Sequence, residues 1–483
     1  MNITLVLTLA NFFLIGIRNL VLSKLLGPSD FSINSMSSQF ISLLTFLDFG
    51  CLALIVKEIP NNEETFDSRI QLLFRVRKFT YYIYGAAFLM TSTLIILSLL
   101  FGERDYTIAL LATLIIYPVQ GSYTYRSTLL VALKKQRKSL NLAILVTVCN
   151  LTVTLLTIRS IGIYSIIVGP MFGYVIGYFA TKDSQANLKF SSVLFFAPIR
   201  ARDLVSKANV MGATNILSYA LLNIDFFMCS IIFKGEQLGY LAFALNIMSL
   251  AFVVPIFLSS YISPIISSSA TSSNESTRDQ LSRTLESVKN QMVLIVLAAN
   301  FCQATLFTII IPIIFPEYLE SINLVWILAL STFFYSVTFY SSNLLFVLNL
   351  QHKIVRILIR CFSLSFLVLI LIIFNIYVNI QTIILLGTLR NIGYFVAHYI
   401  LLKKFLTNSA RLRNIYFCRI SAAVILLLSG LFLSNFGHLY VYEIILISVS
   451  LVLAISAFSV LRSLQKVLSN SDLSHFKDTP FEL

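Results

Sequence analysis

Apolar runs of roughly 17 to 25 residues, each long enough to cross a hydrocarbon layer as a helix, recur along this chain from residues 3–22 to 440–461, fourteen in all. At 1.5 Å per residue such a run spans the apolar thickness of about 30 Å. A helix is also what lets a segment in lipid bond its own backbone. The pattern predicts an all-α polytopic membrane protein with about fourteen transmembrane helices, twelve in a core plus two. Composition agrees, with 58% hydrophobic and 12% charged residues and a mean hydropathy of +0.87, more apolar surface than a soluble interior of this size hides.

The basic residues test this ladder independently. Twenty-eight of the 35 Lys and Arg fall in alternate gaps and the C-terminal tail, as in Lys57 to Lys78, Lys134 to Lys138 and Lys403 to Arg419, while the opposite gaps hold only Lys24, Arg104, Arg159 and Lys234. Lys and Arg concentrate in cytoplasmic loops, so both termini are expected in the cytoplasm. The same rule accounts for the net charge of +14 without a nucleic-acid partner. The first span lacks a basic leader and a small-residue cleavage site, and is expected to be retained. Six cysteines lie in or beside apolar spans without CxxC spacing, so no metal, cofactor or disulfide framework is expected. The gaps are too short for a catalytic domain, which argues for a transporter and against an enzyme that moves sugars or phosphates.

An internal repeat divides the ladder. Ser127 to Lys138 and Ser342 to Lys353 match at six of twelve positions, including Ser, Gln and Lys, at an offset of 215. A weaker partner pairs the Gly27-Pro28-Ser29-Asp30 stretch with Gly235-Glu236-Gln237-Leu238, at an offset of 208. Each span thus corresponds to the sixth one after it, which predicts two six-helix lobes related by a pseudo-twofold along the membrane normal. The expected organisation is an N-lobe at 1–180, a cytoplasmic linker at 181–206, a C-lobe at 207–402, and a loop, two further helices and a tail at 403–483.

Charges at bilayer depth cost about 2.5 to 3.5 kcal/mol on insertion scales and persist where they meet water, a partner or a substrate. Arg18, Arg126 and Arg390 are such charges, with Lys24 in the first outer gap; the alternatives are that Arg18 and Arg126 snorkel to the nearby interface and that Arg390 ties two helices together. Arg390, Tyr394 and His398 recur every fourth residue and share one helix face. The stretch from Tyr117 to Arg126, with Gln120, Tyr123 and Tyr125, is too polar for a lipid face, and so is its counterpart from Ser331 to Asn343, with Tyr335 and Tyr340. Both point to a hydrated cavity, the alternative being Ser and Thr packing between helices. The seventh span adds Asn215, Tyr219 and Asn223. Asp48 and Asp225 read either as sites for a coupling ion or as partners of an arginine. Trp326, Tyr318, Tyr440 and Tyr442 fit an interfacial aromatic belt.

Leu25 to Phe31, followed by Leu47-Asp48-Phe49-Gly50, resembles the start of bacterial polysaccharide transporters. The second half is similar in Asp225, in Gly235 to Tyr240, and in Pro255 and Pro264. These transporters are the O-antigen and lipid-linked oligosaccharide flippases of the multidrug/oligosaccharidyl-lipid/polysaccharide exporter superfamily. The chain departs from them in Ser32, where Gly is usual, and in its last two spans, since members more often have twelve. The resemblance implies that two lobes alternately expose a cavity and carry an undecaprenyl-diphosphate-linked oligosaccharide across the bacterial inner membrane. H⁺ or Na⁺ would be the coupling ion, and membrane lipids, a polysaccharide polymerase and a chain-length regulator the other partners. On that reading Arg18, Lys24, Arg126 and Arg390 attract the diphosphate. Gln120, Tyr123, Tyr125, Asn215, Tyr219, Asn223, Tyr335, Tyr340, Asn343, Tyr394 and His398 would contact sugar. Multidrug antiporters and peptidoglycan-precursor flippases of the same superfamily are the alternatives.

Overall fold

Regular structure in the described part of the chain is helical, as a backbone in lipid requires. The computed structural model describes residues 3–46, 51–52, 55, 66–133, 135–181, 201–255, 275–347, 351–373, 379–403, 410–434 and 440–470. Its helices are α1 (Ile3–Phe46), α2 (Phe66–Leu100), α3 (Arg104–Ala132), α4 (Gln136–Ile161), α5 (Ser165–Ala180), α6 (Ala201–Ile232) and α7 (Glu236–Ser249). They continue with α8 (Glu275–Ile314), α9 (Ser321–Val347), α10 (Gln351–Ile373), α11 (Ile380–Lys403), α12 (Ala410–Ser434) and α13 (Tyr440–Asn470). The described part of each apolar run begins or lies on one of them, α1 carrying two. Among the described residues, nine segments are long and apolar enough to cross a membrane. Leu89, Ile96 and Leu100 of α2 and Leu451, Val452, Ile455 and Phe458 of α13 are exposed. In water such faces would drive aggregation, whereas in a bilayer they meet acyl chains.

The two arms of α1 meet at Gly27, with φ 71° and ψ 172°. Residues with a Cβ are essentially shut out of that region, and Pro28 follows with φ fixed and no N–H to place. Gly235, the repeat partner of Gly27, also has positive φ, at 59° with ψ −131°. The repeated glycine therefore records a bend that both halves of the chain need.

The chain forms two compact units, Met1–Asn223 and Ile224–Glu482, dividing within α6. Residues 182–200 of the expected linker lie outside the described residues.

In the first unit, α4 and α5 lie against each other along Gly169, Gly173 and Gly177, spaced by four. A Cβ on Gly173 would fall 2.7 Å from the Val146 carbonyl, and one on Gly169 would fall 1.8 Å from Thr154 Oγ1. Lipid offers no hydrophobic drive between helices, so close backbone approach and dispersion hold this seam. Next to it, α3 packs on α1 and α2 through Ile41, Leu44, Ala87, Ala112 and Ile116. The Tyr117 hydroxyl donates to the Leu44 carbonyl at 2.9 Å.

In the second unit α9 packs on α7, α8, α11 and α12. Trp326 is only 1% exposed. Its Nε1 donates to Thr308 Oγ1 at 3.0 Å, and its ring occupies the space that a Cβ on Gly430 would need. Tyr318 is fully buried and stacks on Phe243 with 4.2 Å between ring centroids. Trp326 and Tyr318 are thus core residues and not belt residues, because each finds protein to pack against; the side chains of Tyr440 and Tyr442 lie outside those described. The polar residues of α9 are also buried: Ser331 accepts a hydrogen bond from Asn391 Nδ2 at 2.8 Å, and Tyr335 stacks on Tyr394 at 5.7 Å. In this described stretch of α9 Ser331 is bonded across to α11, Thr338 donates to the Tyr335 carbonyl of its own helix, and the Ser336 hydroxyl is buried without a hydrogen-bond partner.

Candidate functional site

The three intramembrane arginines have different surroundings. Arg390 on α11 is 2% exposed. Its Nη1 and Nη2 donate to Asp225 Oδ1 and Oδ2 on α6 at 2.8 and 2.9 Å, and Nη1 also reaches Ser365 Oγ on α10 at 3.0 Å. The carboxylate lies so close to α11 that a Cβ on Gly387 would fall 2.0 Å from Oδ2. Of the two readings open for Asp225, this is the geometry of an ion pair. Arg390 directs this fork to a carboxylate, because two buried opposite charges with paired lone pairs cost far less than either alone.

Arg18 on α1 is placed differently. Among the described residues it has no acid partner, its Nε is shielded from solvent without a hydrogen-bond acceptor, and it lies within electrostatic reach of Tyr174 on α5. The Tyr174 ring is 5.8 Å from that of Tyr123 on α3. Tyr174, which sequence reasoning passed over, thus packs on Tyr123 and lies within electrostatic reach of Arg18.

Arg126 on α3 is 8% exposed. Its Nη1 donates to the Tyr178 carbonyl at 2.8 Å, and its guanidinium carbon lies 3.5 Å from the Tyr178 ring centroid. With Arg77, Tyr84, Ser122 and Tyr125 it lines a small pocket between α2, α3 and α5. Helical spacing explains the lining: Ser122, Tyr125 and Arg126 stand at i, i+3 and i+4, as Arg77 and Tyr84 do at i and i+7. Tyr123 and Tyr125 are about 200° apart around α3 and cannot share this face. Tyr123 turns to Tyr174, while Tyr125 lines the pocket and its hydroxyl donates to the Leu73 carbonyl at 3.2 Å.

The remaining candidates are dispersed. Lys24 is exposed and Gln120 half-buried. The Tyr219 hydroxyl bonds both the backbone carbonyl (3.1 Å) and the side chain of Gln39, and Asn223 Nδ2 donates to the Tyr219 carbonyl at 2.9 Å. Tyr335, Tyr394 and His398 form a buried aromatic group in the second unit, with His398 edge-on to Tyr394 at 4.4 Å. Asp48 and the side chains of Asn215, Tyr340 and Asn343 lie outside those described. Arg77, Tyr84, Tyr174 and Tyr178 were missed. Arg77 reads in sequence as one more orientation charge, and the spacing of Tyr174 and Tyr178 by four is the signal that places them on one face of α5. Among the described residues no three His, Cys, Asp or Glu side chains are grouped to hold a metal ion.

No protein-family model and no curated protein matches this sequence. Among solved structures, the chain is similar to the lipid II flippase MurJ in its inward closed conformation, with a TM-score of 0.66 and 14% identity over 94% of this chain and 98% of that one. It is also similar to a MATE transporter in the bent conformation (TM-score 0.59, 11% identity, 87% and 96% covered). The eukaryotic MATE transporter AtDTX14 gives a TM-score of 0.59 at 12% identity over 87% and 96%. At such identities the likeness is one of fold.

Proposed function

We propose that this protein is a flippase that carries an undecaprenyl-diphosphate-linked oligosaccharide, of O-antigen or another surface polysaccharide, across the bacterial inner membrane by alternating access. The observation that carries the reading is Arg18, a guanidinium at bilayer depth with a shielded Nε and no acid partner among the described residues. A charge so placed is worth its insertion cost where an anion visits it, and a guanidinium fork matches phosphate oxygens. Tyr174, within electrostatic reach of it, and Tyr123, packed on Tyr174, carry ring faces and hydroxyls suited to a sugar. The fold shared with flippases and exporters is consistent with a moving cargo.

A cation antiporter is less well supported. Such a protein wants an uncompensated acid to meet its cargo, and of the two acids at bilayer depth the one described, Asp225, is paired with Arg390. A second reading, a peptidoglycan-precursor flippase, is favoured by the TM-score to the lipid II flippase structure, which exceeds those to the MATE structures.

The test is transport in proteoliposomes. The purified protein should move an undecaprenyl-diphosphate-linked oligosaccharide out of reach of a membrane-impermeant reagent, with lipid II as the competing cargo. Preference for lipid II selects the second reading, and movement of neither cargo removes both.

A further inference from the structure

His398 on α11 is 1% exposed, and neither of its ring nitrogens has a hydrogen-bond partner among the described residues. A neutral imidazole carries one N–H donor and one acceptor. Leaving both buried and unbonded is unfavourable, and such atoms in a folded protein call for a reason. Packing supplies none. The ring stands edge-on to Tyr394 with 4.4 Å between centroids, and Tyr394 stacks in turn on Tyr335 of α9. A phenylalanine would fill that place without two idle nitrogens.

The elements around α11 offer nothing that would balance a charge on the ring. Asp225, which reaches α11 from α6, is forked to Arg390, eight residues before His398 and about 12 Å away along the axis. From α9 come Tyr335 and Ser342, the latter hydrogen-bonded to Tyr394. From α10 comes Cys361, within electrostatic reach of Tyr394 and Arg390, while Arg356 and Arg360 are exposed. Phenols and thiols are ordinarily uncharged near neutral pH. From α12 come Tyr416 and Arg419, whose Nη1 donates to the Asn290 carbonyl at 2.7 Å. From α8 comes Lys289, its ammonium 4.2 Å from the Tyr416 ring centroid and 5.3 Å from that of Tyr399. The described charges on these elements are thus one Arg–Asp pair closed on itself and further cations. An imidazolium in this packing would meet no countercharge, and a buried charge without one is strongly disfavoured.

We propose that His398 is a proton-binding site, filled only when α11 separates from α9 and α10. Uptake forms one N–H bond at the unprotonated ring nitrogen, the ring gains one positive charge, and no other bond breaks. In the packed arrangement that charge is stranded; in an opened one water solvates it. The proton therefore shifts the second unit away from the arrangement described, by as much as it prefers the open form. This deepens the transport reading by giving a coupling H⁺ its residue, and it assigns His398 to that ion and not to sugar. It rests on that reading for the use of the proton, while its test needs no cargo and fails separately.

The full-length protein carries its own reporters, since Cys361 is buried on α10 and Cys418 is exposed on α12. In detergent, well below the Tm, labelling of each by N-ethylmaleimide is read by peptide mass spectrometry. The ratio of Cys361 to Cys418 labelling cancels the pH dependence that thiolate formation gives to both. A solvated imidazole titrates near pH 6.5, so the ratio should rise about tenfold from about pH 7.5 to about 5.5 in the wild type. In His398→Phe, which keeps a packed ring, and in His398→Gln, which keeps polarity, the ratio should stay flat. Should His398→Phe fail to fold, His398→Gln decides alone. A wild-type ratio that does not rise, or one that rises equally in the variants, overturns the site.

Discussion

Asp225 holds Arg390 through both carboxylate oxygens, 165 residues away in the chain, with contacts of 2.8 and 2.9 Å. Gly387 gives the carboxylate its room, since any Cβ there would overlap Oδ2. The pair binds α6 to α11 inside the second unit.

Breaking the pair from one side is expected to damage stability first. Asp225→Asn leaves a buried guanidinium without its countercharge, a change that costs about 3 to 5 kcal/mol in comparable sites. The Tm in detergent and the amount of protein in the membrane should both fall, and Asp225→Asn with Arg390→Gln should recover part of the loss. A wild-type Tm for the single variant would rule out the pair as a structural tie.

Gly387→Ala probes the same contact without touching a charge. The added methyl meets Asp225 Oδ2 at 2.0 Å, so either the fork opens or α11 moves, at a cost of about 1 to 3 kcal/mol. Thermal unfolding reads the effect. Gly387→Ala and Asp225→Asn should be less than additive, because both break one interaction.

Arg18→Ala is expected to behave differently, lowering transport by about tenfold or more while Tm and abundance stay near wild type, as for the loss of one charge-assisted contact to cargo. Arg18→Lys should restore part of the rate, since an ammonium keeps the charge and loses the fork. Transport at wild-type speed in Arg18→Ala would remove Arg18 from the cargo path.

The α4–α5 seam predicts a packing effect. In Gly173→Ala the new methyl would lie 2.7 Å from a backbone carbonyl, that of Val146, which cannot rotate aside. The two helices must separate, and a loss of about 1 to 3 kcal/mol in unfolding free energy is expected. An unchanged Tm would mean that the seam carries little of the unit's stability.

Much of the fold was legible because lipid imposes simple rules: apolar length gives spans, and the paired glycines of the repeat both take positive φ. The site was legible where chemistry is local. Ser122, Tyr125 and Arg126 announce one face of α3 by spacing alone, and α11 likewise aligns Arg390 with Tyr394 and His398. What spacing cannot give is the partner across a helix gap. Nothing near Arg390 in sequence points to Asp225, and nothing near Arg18 says that no acid among the described residues pairs with it. Trp326 was misread because an aromatic near a span end fits a membrane interface as well as a core, and only Gly430 opposite it settles the matter.

The bends at Gly27 and Gly235 carry a genetic consequence. Every single-base change that alters a glycine codon's meaning, other than one creating a stop, specifies an amino acid with a Cβ, and both backbone conformations cost such residues about 1 to 3 kcal/mol. Neither position has a silent missense neighbour. Drift in this protein is therefore expected to run freely over its oily outer faces and to stall at these two codons.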